Sequence, residues 1–395
     1  MSPQVTTSSD QSAEPTIGLW TMGSLFVLST FPRALLISLL PVVALRMLGT
    51  PEAVSIFYTL VSAAGIAASI CIPTLGRTFG ASGLVLLGAI SMMACGVLFL
   101  VGTLPWFVVG MILYLFGYAA MEIGLTLFVL KVVKRDELTF FEPRRVIFMV
   151  ASYASGPWLG LTLATHVADW VPFALCTATA AITLLVVPLI GLNRIDAAPP
   201  PKSSNPLRYV RRFFSQPRLR LAWGLTLGRA AWWTMFFIYT PIYAVTYGLG
   251  EVVGGAIVSA GVAIVWTVPL WARLGRRIGL RKMLSWSFFA VGLVMMSMGL
   301  TAEVAWLGAA TLIFAAIVVT PLDAGGNIPF LRAVRARERA EMTGVFATYR
   351  DTAQLLPPAV FSGVLLVFAL PAVFVTSGIS MLGFALLARF LPRRL

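Results

Sequence analysis

Two acidic residues occupy matching positions in two apolar stretches of this chain. Glu122 lies in the run Met121-Glu122-Ile123-Gly124, and Asp323 lies in Leu322-Asp323-Ala324-Gly325, which is 201 residues further along a chain of 395 residues. In both runs a glycine follows the acid by two residues, and a lysine or arginine follows it by nine. A carboxyl group inside an apolar helix can exchange a proton when its surroundings change. The repeat predicts two copies of one unit around a shared polar centre.

Three arginines, Arg33, Arg229 and Arg350, also fall inside apolar stretches, and the first two are 196 residues apart. A guanidinium stays charged and can bind a carboxylate or phosphate through two hydrogen bonds. A charge left unpaired at the centre of a bilayer costs about 2.5–3.5 kcal/mol on insertion scales. We therefore expect Arg33 and Arg229 either to bind an anionic substrate or to pair with Glu122 and Asp323.

The composition shows which elements must position these charges. Hydrophobic residues make up 59% of the chain, charged residues make up 11%, and the mean hydropathy is +0.91. Soluble domains carry about 25% charged residues. The apolar runs are too long for barrel strands, so we predict an all-α membrane protein with twelve transmembrane helices. These helices are expected at 18–46, 53–73, 82–104, 106–133, 146–166, 170–192, 220–247, 250–271, 283–301, 304–331, 342–369 and 371–391.

A second repeat, Leu75–Gly80 against Leu274–Gly279, has nearly the same offset as the first. It predicts two pseudo-symmetric six-helix bundles, at 17–193 and 220–395. Residues 194–219 between them are expected to form a cytoplasmic linker, with a basic amphipathic segment on the lipid headgroups. Residues 1–16 are expected to be a disordered cytoplasmic tail.

The net charge of +14 does not predict nucleic-acid binding, because most of the 29 lysines and arginines fall in loops and helix ends on one side of the predicted bundle. This is the positive-inside pattern, which places both termini in the cytoplasm, most simply of a bacterial inner membrane. The opposite loops carry mainly acids, and Arg46 is their single base. These acids are Glu52, Asp169, Glu251 and Glu303.

The two halves, the basic linker and the two repeated loops together resemble the major facilitator superfamily over the whole chain. That family's loop signature is Gly-x-x-x-Asp-Arg-x-Gly-Arg-Arg, and here Arg77 and Arg276 stand at the aspartate position. Gly156-Pro157-x-x-Gly160 partly matches the antiporter motif of its drug-exporting members. The resemblance implies that helices 1, 4, 7 and 10 line a central cavity, which would place Arg33, Glu122, Arg229 and Asp323 around it.

These arguments assign three groups of candidate residues. Those expected to bind substrate are Arg33, Arg229, Asn327, Trp233 and Tyr118. Those expected to couple transport to protons are Glu122, Asp323 and Asp351. Those expected to gate or support the helices are Arg77, Arg276, Arg277, Gly156, Pro157 and Arg350.

The sequence therefore predicts a secondary active transporter that moves a small organic anion by alternating access, as a proton-coupled exporter. One alternative is anion uptake or exchange, since the paired arginines Arg33 and Arg229 resemble those with which the superfamily's organophosphate exchangers hold a phosphate. Another is export of a lipophilic cation through Trp232, Trp233 and Tyr243. A membrane sensor or scaffold without transport is an alternative of a different class. No catalytic triad, metal cluster or nucleotide loop is recognisable, so we expect no enzyme activity and no cofactor. The expected partners are a small-molecule substrate, protons and lipids, with the chain as a monomer.

Overall fold

The computed structural model describes residues 19–132, 138–191, 206–335 and 338–392, and all regular secondary structure in these ranges is helical. The predicted tail at 1–16 and the linker residues 194–205 lie outside the described residues. Ten described helical segments are long and apolar enough to cross a membrane. They are Gly23–Leu48, Pro51–Ser69, Ile72–Leu100, Leu104–Val129, Arg145–His166, Val171–Leu189, Glu251–Ile278, Leu280–Thr301, Ala305–Ala333 and Pro371–Ala388.

The first half contains seven helices. The first predicted span is divided between α1 and α2, because Pro41 cannot bond to the carbonyl four residues earlier and its ring clashes with it. The helices are α1 (Leu19–Leu36), α2 (Leu39–Leu48), α3 (Pro51–Ser69), α4 (Ile72–Leu100), α5 (Leu104–Val132), α6 (Leu138–His166) and α7 (Val171–Leu189).

The second half follows a short helix, α8 (Pro206–Phe214). A 3₁₀ turn at Ile264–Thr267 joins two of its helices into one span. The helices are α9 (Pro217–Thr246), α10 (Glu251–Ala263), α11 (Val268–Ile278), α12 (Leu280–Met296), α13 (Met298–Thr301), α14 (Ala305–Gly325), α15 (Ile328–Ala333), α16 (Arg339–Ala347), α17 (Tyr349–Leu365) and α18 (Pro371–Ala388).

Two of the twelve predicted spans are helical but more polar than the rest. The span predicted at 220–247 falls on α9, whose 30 residues extend about 45 Å at 1.5 Å per residue. The span predicted at 342–369 falls on α16 and α17, and α17 contains two adjacent charged residues, Arg350 and Asp351, and two prolines. The chain is therefore an all-helical membrane protein, and ten of its described helical segments are long and apolar enough to cross the membrane.

The predicted internal repeat is visible in the packing. Gly80, at a kink inside α4, and Gly279, between α11 and α12, both have positive φ angles, 72° and 88°. Gly124 of α5 packs against Ala81 and Val85 of α4. Gly325 of α14 packs against the equivalent positions of α12, which are Leu280 and Leu284.

The repeat is broken just after the second acid. Whereas α5 continues as a helix past Glu122, α14 ends at Gly325 and the backbone turns at Gly326, which has a φ of 42°. Pro329 reinforces this end, because a proline cannot donate the hydrogen bond that would continue the helix. The single span predicted at 304–331 is therefore two helices.

The short helix α8 packs on the second half. Phe213 is fully buried and its ring lies 6.5 Å from that of Phe330, beyond the end of α14. Arg212 forms an ion pair with Glu338 just before α16. Phe213 is thus covered by protein, whereas Val210 of the same helix is 39% exposed, and the position of this segment on the lipid headgroups stays a prediction.

Candidate functional site

A cavity of about 460 Å³ lies between the two halves. Its walls come from α1, α2, α3 and α5 in the first half and from α9, α16 and α17 in the second. The resemblance to the superfamily implied that predicted spans 1, 4, 7 and 10 line the cavity. Spans 1, 4 and 7 do so, as α1–α2, α5 and α9. Spans 2 and 11, which are α3 and α16–α17, line it in place of span 10. Five charged side chains line the cavity: Arg33, Glu122, Arg229, Arg350 and Asp351.

Arg229 and Asp323 form an ion pair inside the second half. Nη1 of Arg229 on α9 donates to Oδ1 of Asp323 on α14 at 2.8 Å. The indole Nε1 of Trp233 donates to the other carboxylate oxygen at 3.2 Å. The Arg229 and Asp323 side chains are 19% and 14% exposed, so neither charge relies on bulk water alone. This pairing agrees with the sequence expectation, and it connects α14 to the cavity wall.

Glu122 pairs across the two halves instead of with Arg33. Nη1 of Arg350 on α17 donates to Oε1 of Glu122 on α5 at 2.8 Å. Arg350 and its neighbour Asp351 point about 100° apart around their helix, so they diverge instead of pairing with each other. Of the two alternatives for Arg33, pairing with Glu122 is therefore not what the structure has, because Glu122 bonds to a helix of the other half.

Arg33 is held by aromatic rings. Its guanidinium carbon lies 3.2 Å from the centre of the Tyr118 ring and 6.0 Å from that of Tyr153. The Tyr114 hydroxyl donates to the backbone carbonyl of Arg33 at 3.2 Å and fixes the helix there. No acid of the described residues forms an ion pair with Arg33. Most of its N–H groups therefore stay available to a ligand, since a ring face uses none of them in conventional hydrogen bonds.

Asp351 is the corresponding acid without a partner. It lies on α17, lines the cavity and is exposed. Within the part of the chain that the structure describes, no base forms an ion pair with it. The cavity thus holds one cation and one anion that take part in none of the ion pairs of the described residues.

Asn327 does not reach the cavity. The sequence placed it one helical turn from Asp323, on the same face of a continuous helix. Because α14 ends at Gly325, Asn327 lies in the turn before α15, where it is exposed and absent from the cavity wall. The structure therefore does not place Asn327, which was predicted to bind substrate, in this cavity.

Some of the aromatic residues predicted to bind a substrate line the cavity, and others are buried away from it. Tyr118 and Trp233 line the cavity, but Trp232 and Tyr243 are fully buried. The Tyr243 hydroxyl donates to the carbonyl of Ala302 at 2.9 Å. Two of the three aromatics expected to bind a lipophilic cation are therefore occupied in packing.

A polar seam joins the halves at one end of the cavity. Arg46, at the end of α2, bonds to Asp169 at 2.9 Å and to Glu251 at the start of α10 through its Nε at 2.8 Å. Deeper in, the buried hydroxyls of Ser55 and Tyr239 are 2.7 Å apart. The next residues inward, including Tyr58, line the cavity. The seam therefore closes this end, whereas the exposed Arg350 and Asp351 mark the other.

The sequence matches the family model for the Major Facilitator Superfamily over residues 22–358. The chain belongs to the major facilitator superfamily. No curated protein matches its sequence.

Solved structures with the same fold are transporters. The chain resembles a peptide transporter POT in complex with sulfate, with a TM-score of 0.76 and 15% identity over 95% of both chains. It also resembles a POT family transporter in complex with 5-aminolevulinic acid, with a TM-score of 0.73 and 16% identity over 93% of this chain and 94% of the other. The chain also resembles the nucleoside transporter NupG, with a TM-score of 0.71 and 15% identity over 94% of this chain and 98% of the other. This superfamily member is a transporter and not an enzyme, as the sequence predicted.

The motif residues of this superfamily member lie at helix contacts and at exposed positions of α4 and α11, outside the cavity wall. Gly156 of α6 packs against the backbone of Ala34, next to Arg33. Pro157 of α6 packs against Gly255 of α10 across the seam. Three basic residues assigned to gating are exposed near Gly80 and Gly279: Arg77, Arg276 and Arg277.

The sequence contained an unused signal for the seam. Arg46 was the single base among the loops of one side, and Asp169 and Glu251 were among the few acids there. Opposite charges that are scarce on one face of a membrane protein have few other partners. The Ser55–Tyr239 contact had no comparable signal, because serine and tyrosine are common inside helical bundles.

A close helix contact at the seam gives the first testable prediction. A Cβ added at Gly255 would lie 2.7 Å from the Pro157 carbonyl oxygen and 3.1 Å from Cα of Trp158. Since backbone atoms cannot move aside cheaply, we expect Gly255→Ala to cost about 1–3 kcal/mol. Thermal unfolding of purified protein measures the loss. Gly363→Ala, with no atom within 4 Å of the added Cβ, is the control. Equal stability of the two variants would exclude a tight seam.

Proposed function

We propose that this superfamily member is a secondary active transporter that moves a small organic anion by alternating access, as a proton-coupled exporter. The observation that carries the proposal is Arg33, a guanidinium in the cavity between the halves that no described acid neutralises. An anionic group on the substrate would supply the missing negative charge. Tyr118 would hold the guanidinium in place for it through the stacking contact.

We further propose that α9 and the α16–α17 pair also cross the membrane, which gives twelve transmembrane helices in two bundles, at 17–193 and 220–395. Their polarity is what a cavity wall requires, since Arg229 and Asp351 lie on them. With the loops rich in lysine and arginine in the cytoplasm of a bacterium, the Arg46 seam closes the outer side. The cavity then faces the cytoplasm in a monomer of the inner membrane, ready to receive a solute for export.

Glu122 is the proposed proton carrier. Its side chain is 25% exposed in the cavity, so water can bring a proton to it, and its single ion pair joins the two halves. Protonation removes the carboxylate charge and weakens the pair with Arg350. Loss of this link between α5 and α17 changes the relative stability of the two arrangements of the halves, which couples proton binding to the change of access. Asp323 is held by two donors, and Asp351 is the other candidate acid.

The proton-coupling proposal predicts the behaviour of Glu122→Gln. Glutamine keeps a carbonyl for Arg350 but cannot exchange a proton, so substrate exchange should persist while accumulation driven by a pH gradient is lost. Proteoliposomes with and without the gradient measure both activities. Glu303→Gln, at an exposed position outside the cavity, is the control. Full gradient-driven accumulation by Glu122→Gln would transfer the role to Asp323 or Asp351.

The same vesicles test transport itself. A panel of radiolabelled carboxylates and phosphate monoesters should include solutes whose flux depends on Arg33. Flux that occurs only by counterflow and ignores the pH gradient would support the alternative of anion exchange or uptake. Arg33-dependent binding without any flux would support a sensor, and no Arg33-dependent binding or flux would refute the proposed function.

A further inference from the structure

Two of the charged residues of the cavity lie outside its ion pairs. Arg229 pairs with Asp323, and Glu122 pairs with Arg350. Arg33 on α1 and Asp351 on α17 also line the cavity, and neither has an ion-pair partner anywhere in residues 19–132, 138–191, 206–335 and 338–392. One unsatisfied cation therefore faces the cavity from the first half, and one unsatisfied anion faces it from the second.

We propose that the substrate is a zwitterion, whose acidic group binds Arg33 and whose amine binds Asp351. The proposal rests on the proposed transport function and narrows its substrate class. A guanidinium suits a carboxylate or phosphate, because it offers parallel N–H donors. A carboxylate accepts hydrogen bonds and charge from an ammonium group, and an exposed one can do so without first losing an internal partner.

The position of the two charges on opposite halves adds a selectivity argument. An anion without an amine can bind Arg33, but it leaves Asp351 without a partner and is repelled by that carboxylate. An amine without an acidic group can bind Asp351, but it leaves Arg33 without a partner and is repelled by that guanidinium. Both are disfavoured relative to a ligand that satisfies the two charges together. Only a ligand with both groups also links α1 to α17, as the Glu122–Arg350 pair links α5 to α17. Binding of the zwitterion thus stabilises one arrangement of the two halves.

Homologous ω-amino acids test the proposal and measure the spacing of the two subsites. The probes are unbranched ω-amino acids with two to eight carbons, each compared with the carboxylic acid and the amine of the same length. Isothermal titration on the purified full-length chain gives the dissociation constants. At one chain length, we expect the amino acid to bind at least about tenfold more tightly than either matched compound.

Two variants then separate the subsites. In Asp351→Asn the amino acid should bind no more tightly than its matched acid, and in Arg33→Gln no more tightly than its matched amine. Arg273→Gln and Glu303→Gln change exposed charges outside the cavity and should leave both differences intact.

Two outcomes would overturn the zwitterion. Acids that bind as tightly as the amino acids at every length, still dependent on Arg33, would leave an anion transporter standing. No binding by any probe would refute it as well, and Arg33-dependent flux in vesicles would then decide whether the transport proposal survives.

Discussion

We expect Arg33→Gln to weaken binding of an anionic substrate by about 30-fold or more, while the protein still folds and inserts. Removing one member of a hydrogen-bonded charge pair costs about 2–5 kcal/mol, and each 1.4 kcal/mol is about a tenfold change in affinity. Folding should tolerate the change, because Arg33 supports no acid of the described residues and contributes a ring contact with Tyr118. Equilibrium binding and thermal unfolding of the purified variant measure the two effects separately.

Arg33→Lys sharpens this test. Lysine keeps the charge but offers a point charge in place of parallel donors, and it loses the planar stacking on Tyr118. If Arg33 binds the substrate directly, lysine should recover only a small part of the affinity. Arg273→Gln, an exposed arginine of α11, should bind normally. Full affinity in Arg33→Lys would mean that only the positive charge matters, and unchanged affinity in Arg33→Gln would remove Arg33 from the site.

The helical class and the internal repeat could be predicted from the sequence because they depend on local properties. Hydropathy places the spans, and the repeated glycines mark places where two backbones approach each other. The contacts of Gly124 and Gly325 with equivalent positions of α4 and α12 are the structural counterpart of the sequence repeat. The break at Gly326 was harder to predict, since Gly325 and Gly326 alone do not distinguish a tight helix contact from a helix end.

The ion pairs of the cavity were predictable only within one half. Arg229 and Asp323 belong to the same bundle, where the repeat fixes which helices are neighbours. The partner of Glu122 depends on how the two bundles face each other, and this register is not encoded in the spacing of residues along either one. Arg350 and Asp351 could be predicted to need partners on other helices, but their orientation around α17 decides that Arg350 reaches Glu122 and Asp351 does not reach a base.

The absence of an acid at Arg33, among the residues that the structure describes, changes how the two arginines of the repeat should be understood. Arg33 and Arg229 occupy equivalent sequence positions, yet Arg229 bonds to Asp323 while Arg33 lies on Tyr118. In the anion-exchange alternative, a symmetric pair of arginines binds one anion, and both guanidinium groups would then have to be free of other partners. The structure instead has one arginine free for a ligand and one held within its own half, which favours an asymmetric site.

The Arg229–Asp323 pair gives the largest expected change in stability. In Asp323→Asn the guanidinium of Arg229 keeps its charge while 19% exposed, and it loses the carboxylate that compensates its burial. Removing one partner of a buried pair costs about 3–5 kcal/mol, because an uncompensated charge remains. In the double variant Arg229→Gln/Asp323→Asn both charges disappear, and the carbonyl of the introduced asparagine can still accept the Trp233 hydrogen bond. We therefore expect the double variant to recover most of the loss, since neutral partners of similar volume often replace a buried pair at little cost.

Chemical unfolding of the purified protein, followed by tryptophan fluorescence, measures this difference. Asp169→Asn is the matched control, because it breaks an ion pair with Arg46 in which the two side chains are 73% and 41% exposed. A pair open to solvent contributes about 0–1 kcal/mol, so this variant should be nearly as stable as the native chain. If the single and double variants at Arg229 and Asp323 lose the same stability, the loss comes from the carboxylate's own contacts, and the charge left on Arg229 is already satisfied by water in the cavity. In that case Arg229 would be as free as Arg33 to bind the substrate, and the symmetric exchanger site would become the better explanation.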